Sequence, residues 1–207
     1  MSKSVDGGAT FTDPVRAASL TVKWFWPMEM FGDLNISSIP TIAVDTTGYV
    51  YVAYTELYGT VEDPDYVVKY VWSPGGDNWT QWSEPATATD EQTNWQFFPW
   101  LTADPSGYVY LVYHDTREDE NLVDVYLAES SGGGVGFSGS DIKVTSQSSD
   151  PDAEAGHTEY IGVASAAGYV HPLWGDWRHS TPANPNSDVY AALVAIEPLK
   201  GDINCDG

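Results

Sequence analysis

The sequence predicts an all-β fold: a partial β-propeller of about three four-stranded blades, preceded by the end of another blade. Two observations carry this reading. A 17-residue passage is written three times, as PTIAVDTTGYVYVAYTE at 40–56, PWLTADPSGYVYLVYHD at 99–115 and YIGVASAAGYVHPLWGD at 160–176. No stretch of the chain keeps a 3.6-residue apolar period without Gly, Pro or β-branched clusters, so long helices are excluded. A repeat at this spacing marks one supersecondary unit stacked on copies of itself.

Each copy opens on a short apolar run such as Thr41-Ile42-Ala43-Val44. It breaks at Asp45-Thr46-Thr47-Gly48, or Asp104-Pro105-Ser106-Gly107 in the second copy. Asp opens such a turn, Pro presets φ and Gly closes it. An alternating run follows, Tyr49 to Tyr54 in the first copy, whose β-branched and aromatic residues at period 2 predict a strand. A third run comes after a polar loop, at Tyr66–Trp72, Asp124–Ala128 and Asp188–Val194. A less regular segment closes the first two units, and four short strands in a meander make one blade.

A second signature sits after the third strand. Residues 4–11, SVDGGATF, read Ser-x-Asp-x-Gly-x-Thr-aromatic through Ser4, Asp6, Gly8, Thr10 and Phe11. Residues 130–137, SSGGGVGF, keep Ser130, Gly134 and Phe137 but carry Gly132 at the Asp position; 73–79, SPGGDNW, is a shortened relative. The pattern resembles the Asp-box (bacterial neuraminidase repeat) of sialidase-like β-propellers, over about residues 1–196. Its Asp is expected to accept hydrogen bonds from its own hairpin, and its aromatic to pack between sheets, a structural rather than catalytic role.

The resemblance implies a ring of six blades, which at about 60 residues each needs on the order of 350 residues. This chain has 207. The expected organisation is a blade end at 1–21, blades near 39–90, 97–149 and 158–196, and a linker with a truncated module at 197–207. Because the chain starts inside a motif rather than at a strand, the favoured reading is a sequence cut upstream, with Met1 an internal or artificial start; the alternative is half-rings that pair. The last seven residues, GDINCDG, place Asp202, Asn204, Asp206 and Gly207 like the first half of a D-x-[DN]-x-[DN]-G calcium loop. They resemble the start of a dockerin repeat, which implies possible calcium and a possible cohesin-type scaffold as partner.

Eight Lys and Arg stand against 30 Asp and Glu, a formal charge of −22. That excludes ordinary nucleic-acid binding, which needs a basic patch. It suits a secreted or salt-adapted protein. No run of 18 apolar residues suggests a membrane span. The one cysteine, Cys205, cannot build a disulfide frame. Acidic loops at Glu62-Asp63-Pro64-Asp65 and Glu118-Asp119-Glu120 are read first as solvated surface and second as calcium ligands.

In a meander blade the turns after strands one and three share one face, and the remaining connections share the other. The Asp-boxes and the DTTG and DPSG turns therefore fall on the bottom. The top carries the longer loops, two of which are equivalent: Asp115-Thr116-Arg117 and Asp176-Trp177-Arg178. At i, i+2 in extended backbone, Asp and Arg share a side. Either each pair is a salt bridge that holds its loop, or Arg117 and Arg178, with Trp177 beside them, form a cationic wall for a substrate carboxylate. The first blade has Glu56 and Tyr58 at the equivalent positions.

Tyr160, at the start of an innermost strand, resembles the sialidase nucleophile in position. The resemblance implies a retaining exo-sialidase with a Tyr nucleophile, needing no cofactor for catalysis, provided the ring is complete. Candidate carboxylates are Glu159, Asp115 and Asp176, although a base from another blade fits better, since Glu159 and Tyr160 point opposite ways along a strand. The alternative role for Tyr160 is a core aromatic. Trp24-Phe25-Trp26 and the aromatics from Trp95 to Trp100 are candidate sugar-stacking or blade-packing residues. The expected function is therefore part of a secreted sialidase-like glycoside hydrolase acting on glycans or glycoproteins. The alternatives are a non-catalytic propeller that binds glycan or protein at its top face, and a structural adhesion module. Sequestration of both arginines by their own aspartates is the feature that would favour binding.

Overall fold

The computed structural model describes residues 1–20, 36, 38–59, 64–77, 79–151, 160–181, 183 and 187–196. Among them, regular structure is almost wholly β, in three antiparallel sheets. The first runs in the order β1 (Thr41–Val44), β2 (Val50–Gly59), β3 (Pro64–Ser73), β4 (Ala86–Thr87). The second repeats it with β5 (Gln96–Ala103), β6 (Val109–Asp115), β7 (Asp124–Ser130) and β8 (Ile142–Lys143). The third contains β9 (Ile161–Ala166), β10 (Tyr169–Asp176), β11 (Asp188–Ala191) and β12 (Val194–Ala195). Here β11 and β12 both lie along the edge of β10 opposite β9, so they act as one interrupted third strand. The all-β, partial-propeller reading is what the structure shows.

The turns form for the reasons the sequence suggested. Asp45 Oδ1 accepts from the N–H groups of Thr47 at 2.8 Å and Tyr49 at 3.0 Å, and Gly48 turns the chain at φ 87°. Asp104 does the same for Tyr108 N–H at 3.0 Å, with Gly107 at φ 96°. The third copy has a tighter turn: Ala167 and Gly168 alone link β9 to β10, with φ 53° and 78°. Two successive positive φ values are the tight hairpin that matches strand twist.

The sheets stack face to face. Tyr51, Ala53, Val68 and Tyr70 of the first sheet pack against Leu101, Val109, Leu111 and Tyr113 of the second. On the far side of the second sheet Tyr110, Val112, Val125 and Leu127 meet Ile161, Val170 and Trp174 of the third. Alternation along each strand thus feeds two interfaces, one per face, so β6 and β7 are apolar on both faces.

The bottom turns also interlock. A Cβ on Gly75 would overlap the carbonyl oxygen of Gly48, and one on Gly132 would overlap that of Gly107. Glycine at these two positions is therefore a matter of close approach.

Candidate functional site

At the opposite end of the sheets lie the two Asp-x-Arg loops. Asp115 ends β6, and Thr116 is tied back by its N–H to Trp95 O at 3.0 Å, while Trp95 N–H bonds Thr116 Oγ1 at 3.0 Å. Arg117 turns toward Asp115: Nε and one terminal nitrogen reach Oδ2 at 2.9 and 2.8 Å, and its own backbone N–H reaches Oδ1 at 2.6 Å. The guanidinium lies 4.0 Å above the Tyr126 ring. Two further donors go to Asp90 Oδ1 at 2.8 Å and Tyr113 Oη at 2.7 Å.

The third sheet repeats the device. Arg178 Nε and a terminal nitrogen bond Asp176 Oδ1 and Oδ2 at 2.9 and 2.6 Å, and its backbone N–H reaches Oδ1 at 2.8 Å. The guanidinium sits 4.1 Å over Tyr190. Trp174 Nε1 adds a bond to Asp176 Oδ2 at 3.0 Å. Tyr126 and Tyr190 hold equivalent places on the third strands, two residues after Asp124 and Asp188, which pair with Asp115 and Asp176. Each loop is thus a bracket: carboxylate on one side of the guanidinium, ring on its face.

Burial acts to lower the pKa of Arg117, but its bonds to Asp115 and the surrounding negative groups outweigh that and raise it. The hydrogen bonds that Arg178 donates to Asp176 likewise raise its own pKa. Side-chain exposure is 13% for Arg117 and 9% for Arg178. Little of either guanidinium faces solvent, and both are neutralised where they stand.

In the first sheet, register puts Glu56 at the Asp position, Tyr58 at the Arg position and Lys69 at the tyrosine position. Cation and ring have exchanged places along the chain. Lys69 Nζ bonds Thr87 Oγ1 at 2.8 Å.

Two carboxylates near Arg117 escaped sequence reasoning because 51 residues separate them. Asp90 N–H bonds Asp141 Oδ2, and Asp141 N–H bonds Asp90 Oδ2, both at 3.0 Å. Tyr113 Oη donates to the same Asp141 oxygen. Burial raises Asp141 to about 6; Asp90, where burial is outweighed by bonds from Asp141 and Arg117, is lowered to about 2. Three carboxylates around one guanidinium cannot all ionise cheaply, and burial raises both Asp115 and Asp141 above the ordinary carboxylate value.

His114 was also invisible in sequence. It is buried, stacks on Phe97 with centroids 5.5 Å apart, and neither ring nitrogen has a hydrogen-bond partner. Burial lowers it to about 4.

The other candidates are placed as follows. Tyr160 immediately precedes β9, accepts Gly175 N–H at its carbonyl at 3.2 Å, and leaves its side chain 84% exposed. Trp100, on the neighbouring innermost strand β5, is 43% exposed. Trp177 is buried, and its backbone N–H bonds Ser149 Oγ at 2.7 Å. Glu56 is half-buried at the top of β2. Glu159, His157, Trp24-Phe25-Trp26, Glu62, Asp63 and the segment with Asp202, Asn204 and Asp206 lie outside the described residues. Glu118 accepts from Tyr126 Oη at 2.9 Å, and Asp119 from Asn121 N–H at 2.9 Å. Among the described residues no group of three or more His, Cys, Asp or Glu is arranged to hold a metal ion, and no helix is long and apolar enough to cross a membrane.

The turn at residues 4–11 closes on itself. Asp6 takes Thr10 N–H at 2.9 Å, Thr10 Oγ1 at 2.6 Å and Ser4 Oγ at 2.7 Å, while Gly8 N–H bonds Ser4 Oγ at 2.8 Å. The bonds from Thr10 lead in lowering Asp6 to about 2. Phe11 is exposed, unlike the packing expected of it, whereas Phe137 packs edge-on against Tyr70 with centroids 5.0 Å apart. In the 130–137 turn Ser130 Oγ bonds Val135 O at 2.7 Å, and Gly134 N–H bonds Tyr51 Oη at 2.8 Å. The carboxylate missing at Gly132 is supplied from the neighbouring sheet, where Asp45 Oδ2 accepts Gly133 N–H at 2.6 Å.

Fold and site together define a segment of a β-propeller whose arginine loops are internally neutralised. No protein-family model matches the chain, and no curated protein matches it in sequence. Among solved structures it is similar to the Hadza microbial sialidase Hz136, at 14% identity and a TM-score of 0.53, over 75% of this chain and 35% of that one. Two weaker similarities are to the polysaccharide lyase Uly1 (13% identity, TM-score 0.45, 78% of this chain and 28% of that one) and a thermostable family-43 glycoside hydrolase (14%, 0.44, 76% and 54%). The chain thus spans about a third of the sialidase's length, and the likeness is one of fold.

Proposed function

We propose that this chain is a glycan-recognising propeller segment that does not itself hydrolyse its ligand. One observation carries the reading: both arginines from the matching top loops are already chelated by their own aspartates and stacked on tyrosines. A guanidinium in that state is already neutralised and has one fork taken by its own carboxylate, which weakens it as a partner for a substrate carboxylate. The carbohydrate class is supported by the fold shared with a sialidase. The contact surface is the exposed aromatic pair of the adjacent inner strands, Tyr160 and Trp100, whose faces suit sugar rings. The test is a titration with sialylated and neutral oligosaccharides, run beside a fluorogenic sialoside assay. Saturable binding without turnover supports the reading; turnover sinks it.

A second reading is favoured by the exposure of Tyr160 at the mouth of an innermost strand. Here the chain contributes its Tyr nucleophile to a retaining sialidase-like hydrolase, with a carboxylate base such as Glu159, and with further arginines supplied by residues other than these 207. A secreted setting, calcium bound by the Asp202-Asn204-Asp206 segment, and docking of that segment to a cohesin-type scaffold belong with this reading. Loss of turnover in Tyr160→Phe with retained glycan binding would establish it.

A further inference from the structure

Each internal junction between sheets joins a forward face to a rear face. The forward face of the first sheet holds Ala53 and Val68; that of the second holds Val112 and Val125. All four are buried beneath the next sheet. Register makes Leu173 and Val189 their counterparts on the third sheet. There they are 48% and 74% exposed, with Leu193 also exposed beyond them.

The other end of the stack offers the matching half. Leu101 on the rear face of the second sheet is buried against the first. Its counterpart Ile42 on β1 is 53% exposed, and Val44 beside it is open too. The motif continues on the second strands: Val109-Leu111-Tyr113 in the second sheet is Val50-Val52-Tyr54 in the first. Val50 and Tyr54 are already buried within the chain, so the open part of this rear face is its inner half: Ile42, Val44 and half-buried Val52. The two ends are therefore donor and acceptor halves of the interface the chain makes twice internally.

We infer that a second copy of this chain docks head to tail, the Leu173–Val189 face of one copy against the Ile42–Val44 face of the other. Such a contact is heterologous, and it closes into a ring or extends into a filament according to its rotation. Continuity with the two internal junctions is the argument, and it stands independently of what the top face binds. The formal charge of −22 per copy opposes association at long range, so added salt should strengthen it.

Sedimentation velocity and light scattering on the intact chain over a wide concentration range test this. The expected result is concentration-dependent assembly, favoured by salt. Val189→Asp or Ile42→Asp should each weaken it by at least about tenfold, since each buries an unpaired charge at the contact. Circular dichroism should show both variants folded, because both positions are exposed in the single chain. Mixing the two variants should restore dimers through the one junction in which both faces are wild type. A chain that stays monomeric throughout, or assemblies indifferent to both substitutions, overturns the proposal and leaves that face to a further blade of a longer polypeptide.

Discussion

Asp45 and Gly133 are 88 residues apart, and the carboxylate of the first accepts the backbone N–H of the second at 2.6 Å. Burial pushes Asp45 upward in pKa, but bonds from Gly133, Thr47 and Tyr49 prevail and hold it below the ordinary carboxylate value. The same side chain shapes its own turn and braces the outer turn of the next sheet. Asp45→Ala should cost roughly 1–3 kcal/mol in urea unfolding, because several donors lose their acceptor together. A group with depressed folded pKa contributes above its unfolded pKa of about 4, and that contribution fades as pH falls. The wild-type advantage over Asp45→Asn should accordingly shrink on acidification below about pH 4.

Gly132 and Gly75 answer to a different constraint. Gly132→Ala places a methyl on the Gly107 carbonyl at φ 74°, and it should cost more than the roughly 1 kcal/mol typical of a tolerated glycine change. Gly133→Ala meets no neighbouring atom and isolates the backbone term alone. The difference between the two midpoints in denaturant measures the overlap.

The Asp-x-Arg brackets are the best test of function against structure. Arg117→Ala should destabilise by about 3–5 kcal/mol, since it strands buried Asp115 beside Asp90 and Asp141. Arg117→Lys should recover only part, because an ammonium cannot make the two-pronged contact or stack flat on Tyr126. If glycan affinity stays constant while thermal midpoint falls, the arginine is structural. Trp100→Ala should do the reverse, weakening affinity by roughly 3–10-fold with little change in stability.

Two buried groups give opposite pH slopes. Asp141, raised to about 6, favours folding while protonated; that contribution is complete below about pH 4 and is lost as pH rises through 6. Asp141→Asn should abolish this loss and gain on the order of 1–2 kcal/mol at neutral pH, after allowing for solvent screening. His114, lowered to about 4, acts the other way: stability falls as pH drops from about 6.5 toward 4. His114→Phe should keep the stack on Phe97 and remove that acid sensitivity. Carbon-13 titration of the Asp carboxyls and thermal melts from pH 4 to about 8 separate the two effects.

The repeats carried the fold because their signals are local: Asp-Gly turns, period-2 alternation and the register of Gly48, Gly107 and Gly168 all fall within short windows. The Asp-x-Arg pairs were legible for the same reason, as were both of their possible roles. What decided between those roles was not local. Tyr126 and Tyr190 sit a strand away, and Asp90 meets Asp141 only after the sheet closes. Gly132 read as a degraded motif until Asp45 appeared beside its turn from the neighbouring sheet. His114 gave no sign, because a buried histidine with no partner leaves no pattern in sequence.

The central claim is that Arg117 and Arg178 are occupied by the protein itself. Nitrogen-15 NMR of their Nε–H groups, followed while the folded chain is saturated with a sialylated trisaccharide, tests it most directly. The account predicts two slowly exchanging resonances that stay in place while backbone signals near Tyr160 and Trp100 shift. Saturable movement of either Nε–H with ligand would contradict it.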